Sequence, residues 1–261
     1  MEMKQVCAGE KAAPYGDYVG RLLALRESQS EEASAADQLL MLRDAALARP
    51  NGIFLELGTW HGQATKVMLN ALSGAPGKLV SVDIEDCRHA GEGPNWQFVQ
   101  CDSKDATAIV AEAPVLAQGI DLVYVDGLHT VAQVHAEINA WFPYVKPGGQ
   151  IVFDDVDPVP YMFGHRKDSA RKEMTNRALG QLVSDLFYDN LDSLRMEMKM
   201  GSTGLAIWTK TSGLGAGLRP YQPLTAQRTN RALADLHDEV RGHTEYKHRD
   251  ANGATMIPLE R

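Results

Sequence analysis

Apolar and polar positions change rhythm along the chain, and the changes divide it into elements. From 17 to 49, Val19, Leu22, Leu23 and Leu25, then Ala36, Leu39, Leu40, Leu42, Ala46 and Leu47, recur at spacings near three and four, which predicts helix. Arg49-Pro50-Asn51-Gly52 ends it with turn chemistry. Short apolar runs follow at 53–57, 79–82, 96–99, 122–125 and 151–153, each of strand length. Between them the spacing predicts helices at about 62–72 and 130–142, the second with Val131, Val134, Ile138 and Trp141 or Phe142 on one face. A further helix is predicted at 170–188, and runs at 194–200 and 205–209 flank Gly201-Ser202-Thr203-Gly204 as a hairpin would.

Strands alternating with crossovers, several of them strongly apolar, require a parallel sheet covered on both faces. The fold expected is α/β: a doubly wound, mostly parallel, seven-stranded Rossmann-like sheet with a C-terminal antiparallel hairpin. Residues 1–49 form an N-terminal helical segment, 50–210 the main domain and 211–261 an arm. The arm opens with a Gly-, Pro- and Thr-rich stretch and is expected to hold a short helix at 226–241, with Leu233, Leu236 and Val240 on one side.

Composition narrows the functional classes. With 44% hydrophobic and 23% charged residues over 261 positions, disorder throughout is excluded. The net charge of −8 argues against a general attraction to nucleic acid or an anionic membrane, so any anion must be bound locally. Cys7, Cys87 and Cys101 have no paired spacing, which suggests neither a disulfide scaffold nor a thiolate zinc site. The N-terminus lacks a signal-peptide core and no run approaches the roughly 20 apolar residues of a membrane span, so a cytoplasmic protein is expected. The N-terminal helices and the C-terminal arm have enough apolar positions to contact a neighbouring subunit or to cover a cleft, and a homo-oligomer is expected.

Candidate chemistry gathers at the strand ends, where open α/β sheets bind ligands. The first strand runs into Glu56-Leu57-Gly58-Thr59-Trp60-His61-Gly62. Gly58 permits a tight turn close to a ligand, and Gly62 lets the next helix start near the sheet. A carboxylate in such a loop disfavours pyrophosphate and suits a cationic group. The second strand ends at Asp83, placed to accept hydrogen bonds from ribose hydroxyls, and the third at Asp102 and Ser103, placed to meet an adenine edge.

The fourth and fifth strands end in Asp126 and in Asp154-Asp155. Three carboxylates in one cleft repel one another unless a cation is present, and oxygen-only ligation suits magnesium, with manganese or calcium as alternatives. The competing reading gives the three aspartates separate duties: helix cap, solvated loop residue and cofactor contact. Strand alternation sends Asp154 and Asp155 to opposite faces unless the chain bends there.

On these motifs residues 50–210 resemble class I S-adenosylmethionine-dependent methyltransferases. The layout Val125-Asp126-Gly127-Leu128-His129, then Lys146-Pro147-Gly148-Gly149 leading to Asp154-Asp155, is similar to the metal-dependent macrocin and rhamnosyl O-methyltransferase-like group, and more distantly to catechol and caffeoyl-CoA O-methyltransferases. The resemblance implies that Glu56, Gly58, Thr59 and Gly62 surround the methionine part of the cofactor, Asp83 the ribose, and Asp102 with Ser103 the adenine. It also implies that Asp126, Asp154 and Asp155 ligate the metal, with Asp126 beside the cofactor too. Catechol enzymes have an amide where this chain has Asp155, and a lysine base where it has His129. His129 is then either general base or structural partner of Asp126. The basic run at 158–177 places Arg166 and Lys167, with Tyr161, where an anionic or hydroxyl-rich substrate would be received, although a solvated helix face also explains such a run.

The function implied is divalent-metal-assisted methylation of a hydroxyl on a small metabolite, a sugar-bearing natural product or a catechol-like diol. The alternatives are a noncatalytic cofactor-binding or scaffold subunit and a nicotinamide-dependent oxidoreductase. The latter is disfavoured because the loop lacks Gly-x-Gly-x-x-Gly.

Overall fold

The computed structural model describes residues 14–28, 32–164 and 170–221. The helix expected at 226–241, Cys7, Arg166 and Lys167 lie outside the described residues. Seven strands form one sheet in the order β3-β2-β1-β4-β5-β7-β6: β1 (Ile53–Leu57), β2 (Lys78–Asp83), β3 (Trp96–Gln100), β4 (Ile120–Val125), β5 (Val145–Phe153), β6 (Leu194–Lys199) and β7 (Leu205–Lys210). β1 to β5 pair in parallel, and β7 runs antiparallel to both β5 and β6. Central β1 is buried at all five residues, whereas the edge strands β3 and β6 mix apolar and polar residues and are partly exposed. That is the expected signature of a sheet covered on both faces.

On one face α1 (Gly16–Glu27) and α2 (Ala33–Leu47) pack with α3 (Gln63–Ala71), burying Leu40, Phe54, Val67, Met68, Leu72 and Leu122 together. The other helices are α4 (Ala106–Glu112), α5 (Val131–Trp141), the short α6 (Val159–Met162) and α7 (Ala170–Asp189). Phe153 meets Trp208 edge-on, with ring centroids 4.8 Å apart, across the antiparallel junction of β5 and β7.

Three elements differ from the sequence reading. The helix expected over 17–49 is two helices, because the Ser28 hydroxyl donates to the Leu25 carbonyl at 2.6 Å and the chain turns extended there. α4 escaped the reading because it buries only Ala106 and Ile109, although the Asp105 carboxylate caps it by accepting from the Ala108 amide at 3.0 Å. β5 begins at Val145, six residues before its apolar run, and its register against β4 shifts around Pro147-Gly148-Gly149. Among the described residues, no helix is long and apolar enough to cross a membrane.

Candidate active site

The carboxyl ends of the parallel strands open onto a cavity of about 740 Å³. Its walls include Glu56, Gly58, Thr59, Asp83, Asp102 and Ser103 and, across from these in sequence, Asp126, His129 and Asp155. Backbone pairing continues past each strand: the Gly58 amide donates to the Val82 carbonyl at 2.9 Å, and the Asp126 amide to the Leu57 carbonyl at 2.8 Å. At Gly58, φ is +92°, and a Cβ would overlap the Asp126 backbone, so only glycine lets the two loops pass. Gly62, expected beside the cofactor, starts α3 against Ala90 instead and does not line the cavity.

Glu56 is fully buried. Its Oε2 accepts hydrogen bonds from Thr65 at 2.7 Å and Ser81 at 2.5 Å, while Oε1 has no partner. Burial outweighs those donors and, with repulsion from Asp126, lifts its pKa to about 8. A buried carboxylate with one orphaned oxygen in a cavity wall fits a cationic amine such as the amino end of S-adenosylmethionine.

Asp83 is already engaged by the loop. Oδ2 accepts from the Thr59 and Trp60 amides at 2.8 and 3.0 Å, and Oδ1 from the Glu85 amide at 3.0 Å. Burial raises the carboxyl's pKa, but the amides of Trp60, Glu85 and Thr59 more than compensate and hold it low. Trp60 itself takes a left-handed φ of 42°.

At the third strand end, Asp102 pairs with Lys104 at 2.9 Å, which keeps it ionised. The Ser103 hydroxyl donates to Glu137, and Gln133 Nε2 lies 3.2, 3.0 and 3.1 Å from Asp102, Ser103 and Glu137 oxygens. The sequence reading missed Glu137. Its signal was a carboxylate on the buried stripe of α5, among Val134, Ile138 and Trp141.

The three aspartates converge. The Tyr124 hydroxyl lies 3.2 Å from Asp126 Oδ2 and 2.8 Å from Asp154 Oδ2. His129 bridges Asp126 through Nε2 at 3.2 Å and Asp155 through Nδ1 at 2.5 Å. The bend that alternation demanded is present: Asp155 has a φ of +59°, so it and Asp154 both reach the site. Asp154 Oδ1 accepts from the Thr203 hydroxyl and the Asp155 amide, each at 2.7 Å. Burial and its two aspartate neighbours nevertheless push its pKa up. Burial alone would lower the His129 pKa, but hydrogen bonds and charge from Asp126 and Asp155 raise it to about 10. The ring is therefore an imidazolium at neutral pH, with both nitrogens committed.

An all-oxygen donor set with surplus negative charge fits a hard divalent cation chemically. The spacing is not closed around one: among the described residues, no group of three His, Cys, Asp or Glu side chains stands close enough to hold a metal ion. Tyr124 and His129 tie the carboxylates in pairs instead. Tyr161 is on α6 and does not line the cavity, which Lys172 of the same basic run does.

A sheet of this order with β7 reversed, opening on a glycine-turned cavity at its carboxyl edge, is a Rossmann-like fold shared with solved methyltransferases. Residues 55–156 match a family model described as a methyltransferase domain. Demethylmacrocin O-methyltransferase of Streptomyces fradiae is 30% identical over 110 residues, 42% of this chain and 27% of that protein. Among solved structures, the MycE methyltransferase from the mycinamycin biosynthetic pathway, in complex with Mg and SAH, superposes with a TM-score of 0.50 at 22% identity, covering 82% of this chain and 59% of that one. SAH-bound methyltransferase PaMTH1 of Podospora anserina superposes with a TM-score of 0.54 at 14% identity, covering 81% and 100%. The chain spans half or less of the curated relatives it matches.

Proposed function

We propose that the protein is an S-adenosylmethionine-dependent O-methyltransferase that acts on a hydroxyl of a small molecule, a sugar-bearing natural product or a catechol-like diol, with a divalent cation assisting. The observation that carries this reading is one cavity whose walls include both the orphaned Glu56 carboxylate and the Asp126, His129 and Asp155 cluster. The similarity to demethylmacrocin O-methyltransferase supports the oxygen acceptor.

When bound, the cofactor supplies an electrophilic methyl carbon on a sulfonium. The work of the chain is to hold both reactants at near-attack distance. Glu56 takes the amino end, Gly58 admits it close to the backbone, Asp83 serves the ribose through its remaining lone pairs, and Asp102, Ser103 and Gln133 line the adenine end.

A phenol has a pKa of about 10 and a sugar hydroxyl a higher one, so the acceptor arrives protonated. Asp126, Asp154 and Asp155 would be the donors to a cation once released from Tyr124 and His129, and the cation would supply acidification and orientation of a coordinated hydroxyl. The His129 pKa is raised chiefly by its contacts with Asp126 and Asp155. Freed of them, its ring becomes a neutral acceptor for the hydroxyl proton. Lys172 stands in the cavity wall for an anionic or hydroxyl-rich acceptor.

Calorimetry with S-adenosylmethionine and NAD, followed by methyl-transfer assays on a panel of hydroxylated compounds with EDTA or magnesium, tests this. Binding of the sulfonium alone and transfer that EDTA abolishes and magnesium restores are expected. Binding of NAD alone would overturn the class, and transfer indifferent to EDTA would remove the metal.

A further inference from the structure

A second cavity of about 150 Å³ is walled by Gln38 of α2, by Tyr124, Asp126 and Asp154 at the strand ends, and by Ser202 and Thr203 of the turn between β6 and β7. It shares Gln63, Ala64, Asp126 and Thr203 with the large cavity, so an occupant adjoins the acidic cluster. Ligand pockets for whole drug-sized molecules start at about 300 Å³, so this chamber takes only the end of one.

The walls are fixed. Asp157 accepts from the Gly201 amide at 2.8 Å, and its own amide donates to the Thr203 carbonyl at 2.8 Å. An ion pair between Asp37 and Lys199 holds α2 to β6.

Within the chamber one acceptor is underserved. Thr203 has a single hydroxyl proton and two oxygens in reach, Asp154 Oδ1 at 2.7 Å and Gln38 Oε1 at 3.3 Å. The shorter bond, to the carboxylate, takes the proton. Gln38 Nε2 donates to the Gly201 carbonyl at 3.2 Å, and this orients the amide with its oxygen towards Thr203. Gln38 is only 7% exposed, so this oxygen retains acceptor capacity at a buried wall.

We propose that this chamber is the acceptor subsite, and that Gln38 Oε1 selects for a second hydroxyl on the acceptor while the reacting hydroxyl lies against Asp126 and Asp154. The proposal rests on the O-methyltransferase reading and adds to it a specificity residue and a requirement for two hydroxyl groups. A monohydroxylated acceptor leaves Gln38 unpaired and is discriminated against, as buried polar groups penalise analogues that fail to pair with them.

The test is ligand-observed NMR on the protein loaded with S-adenosylhomocysteine, with catechol, methyl α-D-glucopyranoside and phenol as probes. Calorimetry of S-adenosylhomocysteine is run on every variant. Catechol or methyl α-D-glucopyranoside, each with more than one hydroxyl, is expected to bind wild type more tightly than phenol. Gln38→Leu should weaken it about tenfold, the loss expected for one unpaired buried hydroxyl, with unchanged S-adenosylhomocysteine affinity. Ala35→Leu, which fills the chamber from the α2 wall and leaves the Gln38 bonds intact, should also exclude the probe, and it decides the matter if Gln38→Leu does not fold. Wild-type probe affinity in the folded Gln38→Leu protein or in Ala35→Leu overturns the subsite, as does failure of both catechol and methyl α-D-glucopyranoside to bind loaded wild type. Failure of S-adenosylhomocysteine to bind overturns the O-methyltransferase reading itself, and the subsite with it.

Discussion

Glu56 sits where its surroundings resist its charge. Its pKa is about 8 in the fold against an ordinary 4.5, so across that window the folded protein keeps a proton that the unfolded chain has lost. Stability from this group is full below the lower value and falls as pH rises towards the upper one. Glu56→Gln should flatten that fall, read by chemical denaturation at both ends of the window; an unchanged slope would locate it elsewhere. A bound cation reverses the preference, so at neutral pH S-adenosylmethionine should expel a proton from wild type. Its calorimetric enthalpy will then vary with the ionisation heat of the buffer, and that dependence should vanish in Glu56→Gln. Asp155 offers a second separable effect, because its left-handed φ of 59° suits Asn but penalises Ala. Asp155→Asn should keep the melting temperature closer to wild type than Asp155→Ala, while both release His129 from its 2.5 Å contact and lower the ring's NMR titration midpoint. Equal melting temperatures would remove the backbone argument.

Elements were legible where a single strong period ruled them. Five parallel strands, α5 with its apolar stripe and the hairpin around Gly201 all follow the expected order. Two features depended on local bonds that periodicity does not register: the break after α1, set by the Ser28 hydroxyl, and α4, set by the Asp105 cap. The hairpin turn owes its position to Asp157, whose carboxylate also accepts from the Val159 amide at the start of α6 at 2.9 Å; from sequence Asp157-Pro158 reads as a turn or helix-start signal, with no cue that it reaches the hairpin. Asp157→Ala leaves those amides without an acceptor and should cost about 1–3 kcal/mol. Because the turn bears Thr203 and not Glu56 or Asp83, the variant should raise the acceptor KM while S-adenosylhomocysteine affinity stays near wild type. Parallel losses of both would mean that the turn supports the whole sheet edge.

At the scale of the molecule, the topology gathers the site from strand ends far apart in sequence. Asp83, Asp102 and Asp126 could be placed from sequence because strand order alone fixes where each chain segment stops. Tyr124 shares its side of β4 with Asp126 by simple alternation. Gln38 and Thr203 had no such cue, since 165 residues separate them and only the packing of α2 beside the hairpin brings them together. Cofactor binding should report on the whole assembly: S-adenosylhomocysteine at about a hundredfold excess over its Kd should add about 2.7 kcal/mol and raise the melting midpoint by several degrees. An unmoved melt at that loading would mean that the ligand binds the unfolded chain equally well. The reversed β7 has a wider consequence. On the proposed assignment, methyl-donor contacts come from the parallel half of the sheet, whereas Thr203, on the acceptor side, belongs to a loop joining the last two strands. Loop swaps at 201–204 therefore offer a route to altered regioselectivity, for a designer or for natural divergence, that leaves the donor half of the catalyst untouched.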